Sequence, residues 1–329
     1  MTQDLARDDG GFGRFCVVGL GNHARTKLIP ALVANGQQIA GLVTRRHDGD
    51  LPGTPVFAQI GEALAALPPD TVFVIATPPA LHFDQAAAVI KAGRDLIIEK
   101  PAFVTKRNAI EALDEAKRQG TVVVEAFMHR HTQLYRRLME FWPAERKVID
   151  AIDVDFLIPS LPPGNFRQGD AIECSGLYDI GCYALSLLTD LNLPLQALDV
   201  TDVDCPGQFD KEAVELEGLL AGTRAKVRIG VSEAYVNRVS FRNRDGQTTE
   251  FSPFFYGRSG EKVISHGAMP VTRQEIIRDK NAFEEMFAVP RRVWFDSQSE
   301  RAQPMIEVTA NLERLGRALT MRRKKALVS

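Results

Sequence analysis

A glycine-rich turn near the start of the chain has residue types and spacing that suit a phosphate. Gly19 and Gly21 lie between an apolar run at residues 15–18 and a mixed stretch at residues 23–35, which has Ala24 as its second residue. Where a strand turns into a helix in this way, the first glycine permits a tight bend and the second lets the backbone approach a pyrophosphate. A turn without a ligand is the alternative, since such glycines join strands to helices in many proteins. The predicted dinucleotide contacts are Gly19, Gly21, Asn22, His23 and Ala24.

The end of the predicted second strand indicates which dinucleotide would bind. About 25 residues after Gly19, where an enzyme specific for NAD carries an acid against the ribose hydroxyls, the chain has Thr44, Arg45 and Arg46. An arginine can pair with the 2′-phosphate of NADP and stack on adenine, whereas an acid would repel that phosphate. The residues favour NADP(H) and leave NAD(H) open. Two solvated surface arginines are the alternative.

Two histidines flank an arginine at a spacing that could suggest a metal. His129 and His131 lie on either side of Arg130, but no further ligands accompany them, and we expect no metal site. His129 or Arg130 could instead line a substrate pocket, with a surface or core histidine as the alternative. In a later loop, Phe166 and Arg167 could contact the substrate or could belong to a mobile surface loop.

The elements that would position these residues alternate between strand and helix in the first part of the chain. The strands are continuous apolar runs, which is typical of a parallel sheet covered on both faces by helices. We therefore predict a doubly wound Rossmann domain over residues 1–126. The predicted strands are residues 15–18, 38–43, 71–76, 95–98 and 121–124, and the predicted helices are residues 23–35, 59–67, 81–91 and 105–119.

The pattern changes after residue 126, where longer and often alternating strands predict an open, mainly antiparallel sheet with helices. We assign residues 127–329 to a C-terminal α/β domain for substrate binding and oligomerisation. Loops at residues 159–169 and 252–267 are long enough to form the rims of a cleft. The predicted strands are residues 147–158, 214–220, 225–231 and 235–241, and the predicted helices are residues 176–188 and 303–319.

Composition excludes several classes of partner. The 329 residues include 40 basic and 42 acidic side chains, so no net field would hold nucleic acid or an anionic membrane surface. No apolar run approaches the roughly 18 to 20 residues that a membrane span needs, and we expect a cytoplasmic protein with a small-molecule partner. The four cysteines lack CxxC spacing, which predicts neither a zinc site nor a disulfide framework.

Three segments carry a resemblance to a known family. Residues 76–82 (ATPPALH), 92–101 (AGRDLIIEKP) and 175–183 (SGLYDIGCY) resemble the glucose-fructose oxidoreductase / inositol dehydrogenase (Gfo/Idh/MocA) family. The resemblance covers nearly the whole chain. Residues 125–133 depart from it, because the branch with tyrosine at position 183 usually has an aromatic-His-Pro run that lacks its proline here. That branch includes NADP-dependent aldose dehydrogenases, and the departure leaves the substrate open.

The resemblance also implies roles for individual residues. Lys100, Asp179 and Tyr183 match the family's catalytic positions, and Pro101 is expected to follow a cis peptide bond. The ATPP loop would border the cofactor. The further cofactor contacts expected from these segments are Thr77, Pro78, Pro79, His82, Glu99 and Lys100.

The implied catalytic residues suit the chemistry of a carbonyl. Hydride transfer leaves negative charge on oxygen, which needs a proton donor and a positive group nearby. Asp179 and Tyr183 are four residues apart on one helix and can converge on one point, where a lysine at a strand end can meet them. We predict Tyr183 as the acid/base, with Lys100 lowering its pKa. The alternatives are that Tyr183 only packs on the sheet, that Asp179 only interacts with the helix dipole, and that Lys100 is an exposed charge at a strand end.

These features together predict an NADP-dependent oxidoreductase acting on a hydroxyl or carbonyl of a sugar, sugar derivative or polyol. A second hypothesis keeps the cofactor and reduces a keto sugar on a nucleotide carrier, a dihydrodiol or an imine. A third is a regulator that senses NAD(P) without turnover. An open sheet would leave one face uncovered, which favours a homodimer or tetramer.

Overall fold

Six parallel strands form the first sheet of the computed structural model, in the order β3-β2-β1-β4-β5-β6. Their residues are mostly buried apolar side chains, as the apolar runs predict. The strands are β1 (Arg14–Val18), β2 (Gln38–Val43), β3 (Val56–Phe57), β4 (Val72–Ile75), β5 (Leu96–Ile98) and β6 (Val123–Glu125). The structure describes residues 13–45, 51–160, 171–208, 211–267, 273–289, 293 and 298–326.

Helices follow the strands of this sheet in the order expected for a doubly wound fold. The helix after β1 begins with a π-helical turn at Ala24–Leu28. Thr105 caps one helix by accepting a hydrogen bond from the Asn108 N–H, and Gly120 ends that helix with a φ of 66°. The helices are α1 (Ile29–Ala34), α2 (Ile60–Ala66), α3 (His82–Lys91) and α4 (Lys106–Gln119).

Eight strands form the second sheet, in the order β14-β13-β12-β11-β7-β10-β9-β8. Among the described strands of this second sheet, only β7 and β10 pair in parallel, so the sheet is mainly antiparallel as predicted. The strands are β7 (Ile149–Ile158), β8 (Asp199–Asp204), β9 (Ala213–Leu220), β10 (Thr223–Val231), β11 (Val236–Asn243), β12 (Thr248–Ser252), β13 (Gly260–Gly267) and β14 (Arg273–Asp279). Both parts of the predicted fold class are confirmed.

Four of these strands are absent from the sequence prediction, and one predicted loop is wrong. Residues 252–267 were expected to be a loop, yet β13 occupies the second half of that range. The strands β8, β12, β13 and β14 are short or rich in exposed polar side chains, so they lack the apolar alternation that reveals a strand. Of the other predicted loop, residues 161–170 lie outside the described residues.

Helices cover one face of the second sheet and tie it to the first. The pair α6 (Gly176–Asp179) and α7 (Gly181–Asp190) packs against β7 and β10. Further helices are α5 (Gln133–Glu145), α8 (Ala282–Phe287) and α9 (Gln298–Ala326). The ring of Phe287 on α8 meets Phe15 on β1 at 5.9 Å between centroids. Helix α8 therefore packs against the first strand of the first sheet.

The terminal helix α9 extends beyond its predicted range of residues 303–319 and packs on α4 of the first sheet. Met305 joins the core on the outer side of β1 and β4, and the Lys106 N–H donates to Glu313 Oε2 at 2.9 Å. The terminal helix α9 thus contributes to the core of the first sheet although it belongs to the predicted C-terminal domain. The predicted domain boundary between residues 126 and 127 therefore stays a prediction. Within the described residues, no helix is both long and apolar enough to cross a membrane.

Candidate active site

The glycine turn lies at the carboxyl end of β1 and is open where a phosphate would need space. Gly19 has a φ of +92°, and a Cβ there would lie 2.8 Å from Thr77 Cγ2, so only glycine fits. A Cβ at Gly21 would meet nothing within 4 Å. Asn22 and His23 are exposed, whereas Ala24 is fully buried against the core. The turn has the close backbone approach and the free space that a pyrophosphate requires.

The residues predicted to choose between NADP and NAD follow the neighbouring strand. The Thr44 N–H donates to the Phe57 carbonyl at 3.0 Å, which fixes the backbone at the end of β2. Arg45 is exposed at the same edge of the sheet as the glycine turn. Arg46 lies outside the described residues. An exposed guanidinium therefore stands at the expected strand end.

The ATPP loop follows β4, and its residues have different surroundings. The Thr77 hydroxyl donates to Gln85 Oε1 at 2.6 Å, Pro78 is exposed, and Pro79 is buried at the cleft wall. His82 does not line the cleft, so the structure gives no support to its predicted cofactor contact. This ring is fully buried, with Nε2 2.8 Å from the Thr77 carbonyl oxygen and Nδ1 3.1 Å from that of Pro101. His82 joins the ATPP loop to the EKP turn instead.

Glu99 ends β5 beside the glycine turn. His23 Nε2 lies 2.9 Å from Glu99 Oε1, and the His23 ring meets the edge of Phe283 with centroids 5.4 Å apart. Burial of Glu99 favours its neutral form, but His23 and Lys100 outweigh this and lower the pKa of the carboxyl below its ordinary value. Glu99 is therefore an ionised acceptor in the cleft, of the kind that can receive ribose hydroxyls.

Lys100, which follows β5, and Asp179, at the end of α6, come together from different parts of the fold. The Lys100 ammonium donates to Asp179 Oδ1 and to the Asp179 backbone carbonyl, each at 2.7 Å. Both side chains are about nine-tenths buried, so water screens the pair little. The Lys100–Pro101 peptide bond is cis, as the resemblance implies. Residues 79 positions apart thus form one charged pair at the cleft.

Tyr183 completes the predicted group from α7. Its ring lies below the Lys100 ammonium, with 4.9 Å from Nζ to the ring centroid. In the part of the chain that the structure describes, no group hydrogen-bonds the Tyr183 hydroxyl. Burial raises the pKa of Tyr183 above its ordinary value, and Lys100 opposes this only in part. Lys100 thus lowers the pKa of Tyr183 as expected, but desolvation of the phenolate is the larger effect and the net shift is upward.

These groups share one cleft of about 310 Å³ between the two sheets. The cleft is partly open to solvent. Its lining comprises His23, Lys27, Ala76, Thr77, Pro79, Glu99, Lys100, Pro101, Met128, Phe156, Ile158, Glu173, Asp179, Ile180, Tyr183 and Phe283.

Neither His129 nor Arg130 lines the cleft, so the structure gives no support to their predicted substrate contacts. His129 is fully buried among aromatic rings, including Phe255 at 5.2 Å and Tyr183 at 5.5 Å between centroids. Burial lowers the pKa of His129 well below its ordinary value. Arg130 makes two hydrogen bonds of 2.9 Å to the Asp190 carboxylate and does not line the cleft. Phe166 and Arg167 lie outside the described residues.

Sequence reasoning missed Glu125, which ends β6 on the same edge of the sheet as Lys100. Glu125 Oε1 accepts a hydrogen bond from the Ala102 N–H at 2.8 Å and so holds the turn that follows Lys100. Burial raises the pKa of Glu125 to about 7, although Ala102 and Arg130 act in the opposite direction. The rule that ligands bind at the carboxyl ends of parallel strands could have identified this residue.

Three features fit a nicotinamide dinucleotide. The open glycine turn suits its phosphates, the exposed Arg45 suits its adenosine end, and the ionised Glu99 suits a ribose. Fold and cleft thus define a dinucleotide-binding oxidoreductase. Residues 13–127 match the model of the Gfo/Idh/MocA oxidoreductase family, which is described by its NAD-binding Rossmann fold. The predicted family, enzyme class and nicotinamide cofactor are confirmed.

Individual relatives extend the similarity beyond residue 127. The dTDP-3,4-didehydro-2,6-dideoxy-alpha-D-glucose 3-reductase of Actinomadura kijaniata is 26% identical over 250 residues, 71% of this chain and 73% of that one. A 3-ketoreductase structure from the same organism, with NADP and TDP-benzene, covers 92% of this chain and 96% of that one at a TM-score of 0.78 and 18% identity. The aldose-aldose oxidoreductase of Caulobacter crescentus, complexed with glycerol, covers 95% and 98% at a TM-score of 0.76 and 16% identity.

Proposed function

We propose that this protein is an NADP-dependent reductase of a keto group on a sugar or sugar derivative. The observation that carries the proposal is the convergence of Lys100, Asp179 and Tyr183 on one cleft with the open glycine turn. A sensor without turnover would not need a buried lysine and tyrosine placed beside the dinucleotide site. The third hypothesis, a regulator that only senses NAD(P), is therefore disfavoured.

Each of the three residues has a separate task. The bound dinucleotide supplies the hydride. The Tyr183 hydroxyl gives its proton to the carbonyl oxygen as negative charge develops there. The Lys100 ammonium, 4.9 Å from the centre of that ring, stabilises both the substrate oxygen and the tyrosinate left behind. Asp179 holds the ammonium in place through its 2.7 Å hydrogen bond.

The electrostatics of Tyr183 support reduction as the favoured direction. Because burial raises its pKa, the hydroxyl keeps its proton throughout the neutral range before reaction. Reduction of a carbonyl needs an acid, whereas oxidation of an alcohol needs the group to start as a base. We therefore propose that Tyr183 acts from its protonated form, as the acid of a reduction.

Arg45 supports NADP as the cofactor in preference to NAD. It is exposed at the end of β2, at the sheet edge that carries the glycine turn, and within the described residues no carboxylate at that strand end would repel a 2′-phosphate. The 3-ketoreductase structure similar to this chain holds NADP. Both lines of support point to the same dinucleotide.

The relatives indicate the substrate class. One is named for a keto sugar carried on a nucleotide and another for aldoses. We therefore propose a sugar substrate, with a nucleotide-linked keto sugar as a second candidate because of the former relative. The substrate experiment follows NADPH consumption with a panel of free keto sugars, aldoses and nucleotide-linked keto sugars, using wild type and Tyr183→Phe. Turnover of at least one sugar, lost in the variant, is expected. Binding of NADPH without turnover of any member would refute the proposal.

The outer face of the second sheet supports self-association. Asp155 is almost fully buried there between Arg228 at 2.6 Å and Arg238 at 2.7 Å, and acids and bases alternate around it. A face with both charges can pair with a second copy of itself, and we propose a homodimer through it. Sedimentation velocity should show a dimer that Arg228→Glu weakens. A monomer at all micromolar concentrations would contradict this.

A further inference from the structure

Part of the cleft lining is apolar and forms what we call the apolar wall. Met128 follows β6, Phe156 and Ile158 lie at the end of β7, and Phe283 lies on α8. Four apolar side chains from three separate parts of the fold thus line the same cleft as Tyr183. A wall assembled from elements so far apart in sequence is a feature of the fold.

The wall is rigid and adjacent to the reacting group. The Phe156 ring stacks on Phe255 with centroids 5.2 Å apart and an interplanar angle of 21°. The Tyr183 ring meets the edge of Phe156 at 5.6 Å. Gly257 makes room for this packing, since a Cβ there would lie 2.8 Å from the Phe283 ring. Atoms next to a carbonyl held by Tyr183 therefore come within reach of Phe156.

The described side chains packed behind the wall are mainly aromatic rings. The fully buried His129 touches Phe127, Phe254 and Phe255, and neither of its ring nitrogens has a hydrogen-bond partner among the described residues. A substrate hydroxyl pressed against this wall would lose its bonds to water without replacement. An unsatisfied polar group costs about 1–3 kcal/mol, roughly tenfold to a hundredfold in kcat/KM.

We propose that the substrate presents a deoxygenated carbon, as a methylene or methyl group, to Phe156 and Ile158 while its carbonyl faces Lys100 and Tyr183. The enzyme is thereby selective for deoxy sugars over their hydroxylated counterparts. This inference rests on the proposed sugar reductase function. It adds the chemistry of the side of the substrate that faces away from the charged pair.

The experiment uses the sugar that the substrate panel shows to be reduced. Its matched forms, with hydroxyl or hydrogen at each carbon flanking the carbonyl and at the terminal carbon, are compared by kcat/KM. We expect one deoxy form to exceed its hydroxylated counterpart by at least about tenfold. Equal or higher activity with every hydroxylated form would overturn the inference and leave the reductase function intact. A panel with no turnover at all would be the failure of the proposed function itself.

A pair of variants at the end of β7 locates the selectivity. Ile158→Thr puts a hydroxyl into the wall and should shift the preference toward the hydroxylated sugar by several-fold. Leu157→Thr makes a comparable change at the next residue, whose side chain projects to the opposite face of the sheet. This control should leave the ratio unchanged. Equal shifts in both variants would show that the wall does not set the preference.

Discussion

The two sheets contribute to the cleft in different ways. The first sheet presents strand ends, where a glycine turn, an exposed arginine and the Glu99-Lys100 pair lie on one edge. The second sheet presents a face, where Phe156 and Ile158 project from β7 beside Tyr183 on α7. The first uses backbone geometry that tolerates few residue types, and the second uses side chains that can vary. The position of the dinucleotide site therefore depends on the backbone at the strand ends of the first sheet. The character of the substrate site depends on which side chains the second sheet carries.

The sheets also differ in how they bury charge. In the described part of the first sheet, the interior strands are apolar and the charges gather at the cleft. The second sheet contains Lys262 and Asp279, each with only 1% of its side chain exposed, joined at 2.8 Å. The Asp279 carboxylate also accepts from the Gln133 N–H at the start of α5. Its outer strands are thus held by a buried ion pair.

The largest expected effect tests whether catalysis and dinucleotide binding depend on different parts of the cleft. Tyr183→Phe removes the proton donor that the second sheet supplies and should lower kcat by about 10²–10⁴-fold. NADPH affinity should stay unchanged, because the first sheet supplies that site. Tyr178→Phe is the matched control, since its hydroxyl donates to the Val104 carbonyl away from the cleft. Steady-state rates and fluorescence titration measure both. A comparable loss of rate in the two variants would remove Tyr183 from its proposed role.

The second expected effect concerns the stability of the outer strands. Lys262→Met leaves the Asp279 charge buried without its partner and should lower the free energy of unfolding by about 3–5 kcal/mol. Lys262→Met combined with Asp279→Asn removes both charges and should recover most of this loss. Arg278→Met breaks an exposed pair with Glu261 on the same two strands and should cost about 1 kcal/mol or less. Urea unfolding provides the comparison. Equal costs for Lys262→Met and Arg278→Met would contradict the buried-pair argument.

The third expected effect is pH-dependent and belongs to the edge of the first sheet. The folded protein keeps a proton on Glu125 up to about pH 7, whereas the unfolded chain releases it near the ordinary value of 4.5. Folded protein therefore binds more protons in this window, and stability falls as pH rises through it. Glu125→Gln removes this loss, so its stability relative to wild type should rise by roughly 2 kcal/mol between pH 4.5 and 7.

The Glu125 measurement has a control for net charge. Glu140→Gln removes one formal charge from an exposed position on α5. Thermal or urea unfolding across the pH window separates this general effect from the local one. A difference between Glu125→Gln and wild type that is constant with pH would show that Glu125 is ionised throughout.

The smallest expected effect tests the dinucleotide site of the first sheet alone. Arg45→Ala should reduce the preference for NADPH over NADH by about tenfold, roughly 1.4 kcal/mol, by removing the partner of the 2′-phosphate. Arg107→Ala, an exposed arginine on α4, is the control. Fluorescence titration with both dinucleotides measures the ratio. An unchanged ratio in Arg45→Ala would assign the preference to other residues.

The same contrast explains what the sequence could predict. The strands of the first sheet are buried on both faces, and their apolar runs revealed them. The pairing of Lys100 with Asp179 followed from the resemblance, because the motifs mark both positions. The strands β8 and β12–β14 have exposed polar faces and gave no such signal. His82 and His129 are buried by residues that are distant in sequence, and the spacing of a motif does not reveal such burial.

The packing of α9 on α4 bears on how the chain can fold during synthesis. Met305, together with Ala302 and Ile306, completes the core on one side of the first sheet. A ribosome that has made residues 14–125 has produced all six strands of that sheet but not the helix that closes it. Until roughly two hundred further residues emerge, at about 5–20 residues per second, that apolar surface remains uncovered. We expect the emerging first sheet to depend on chaperone protection over this interval.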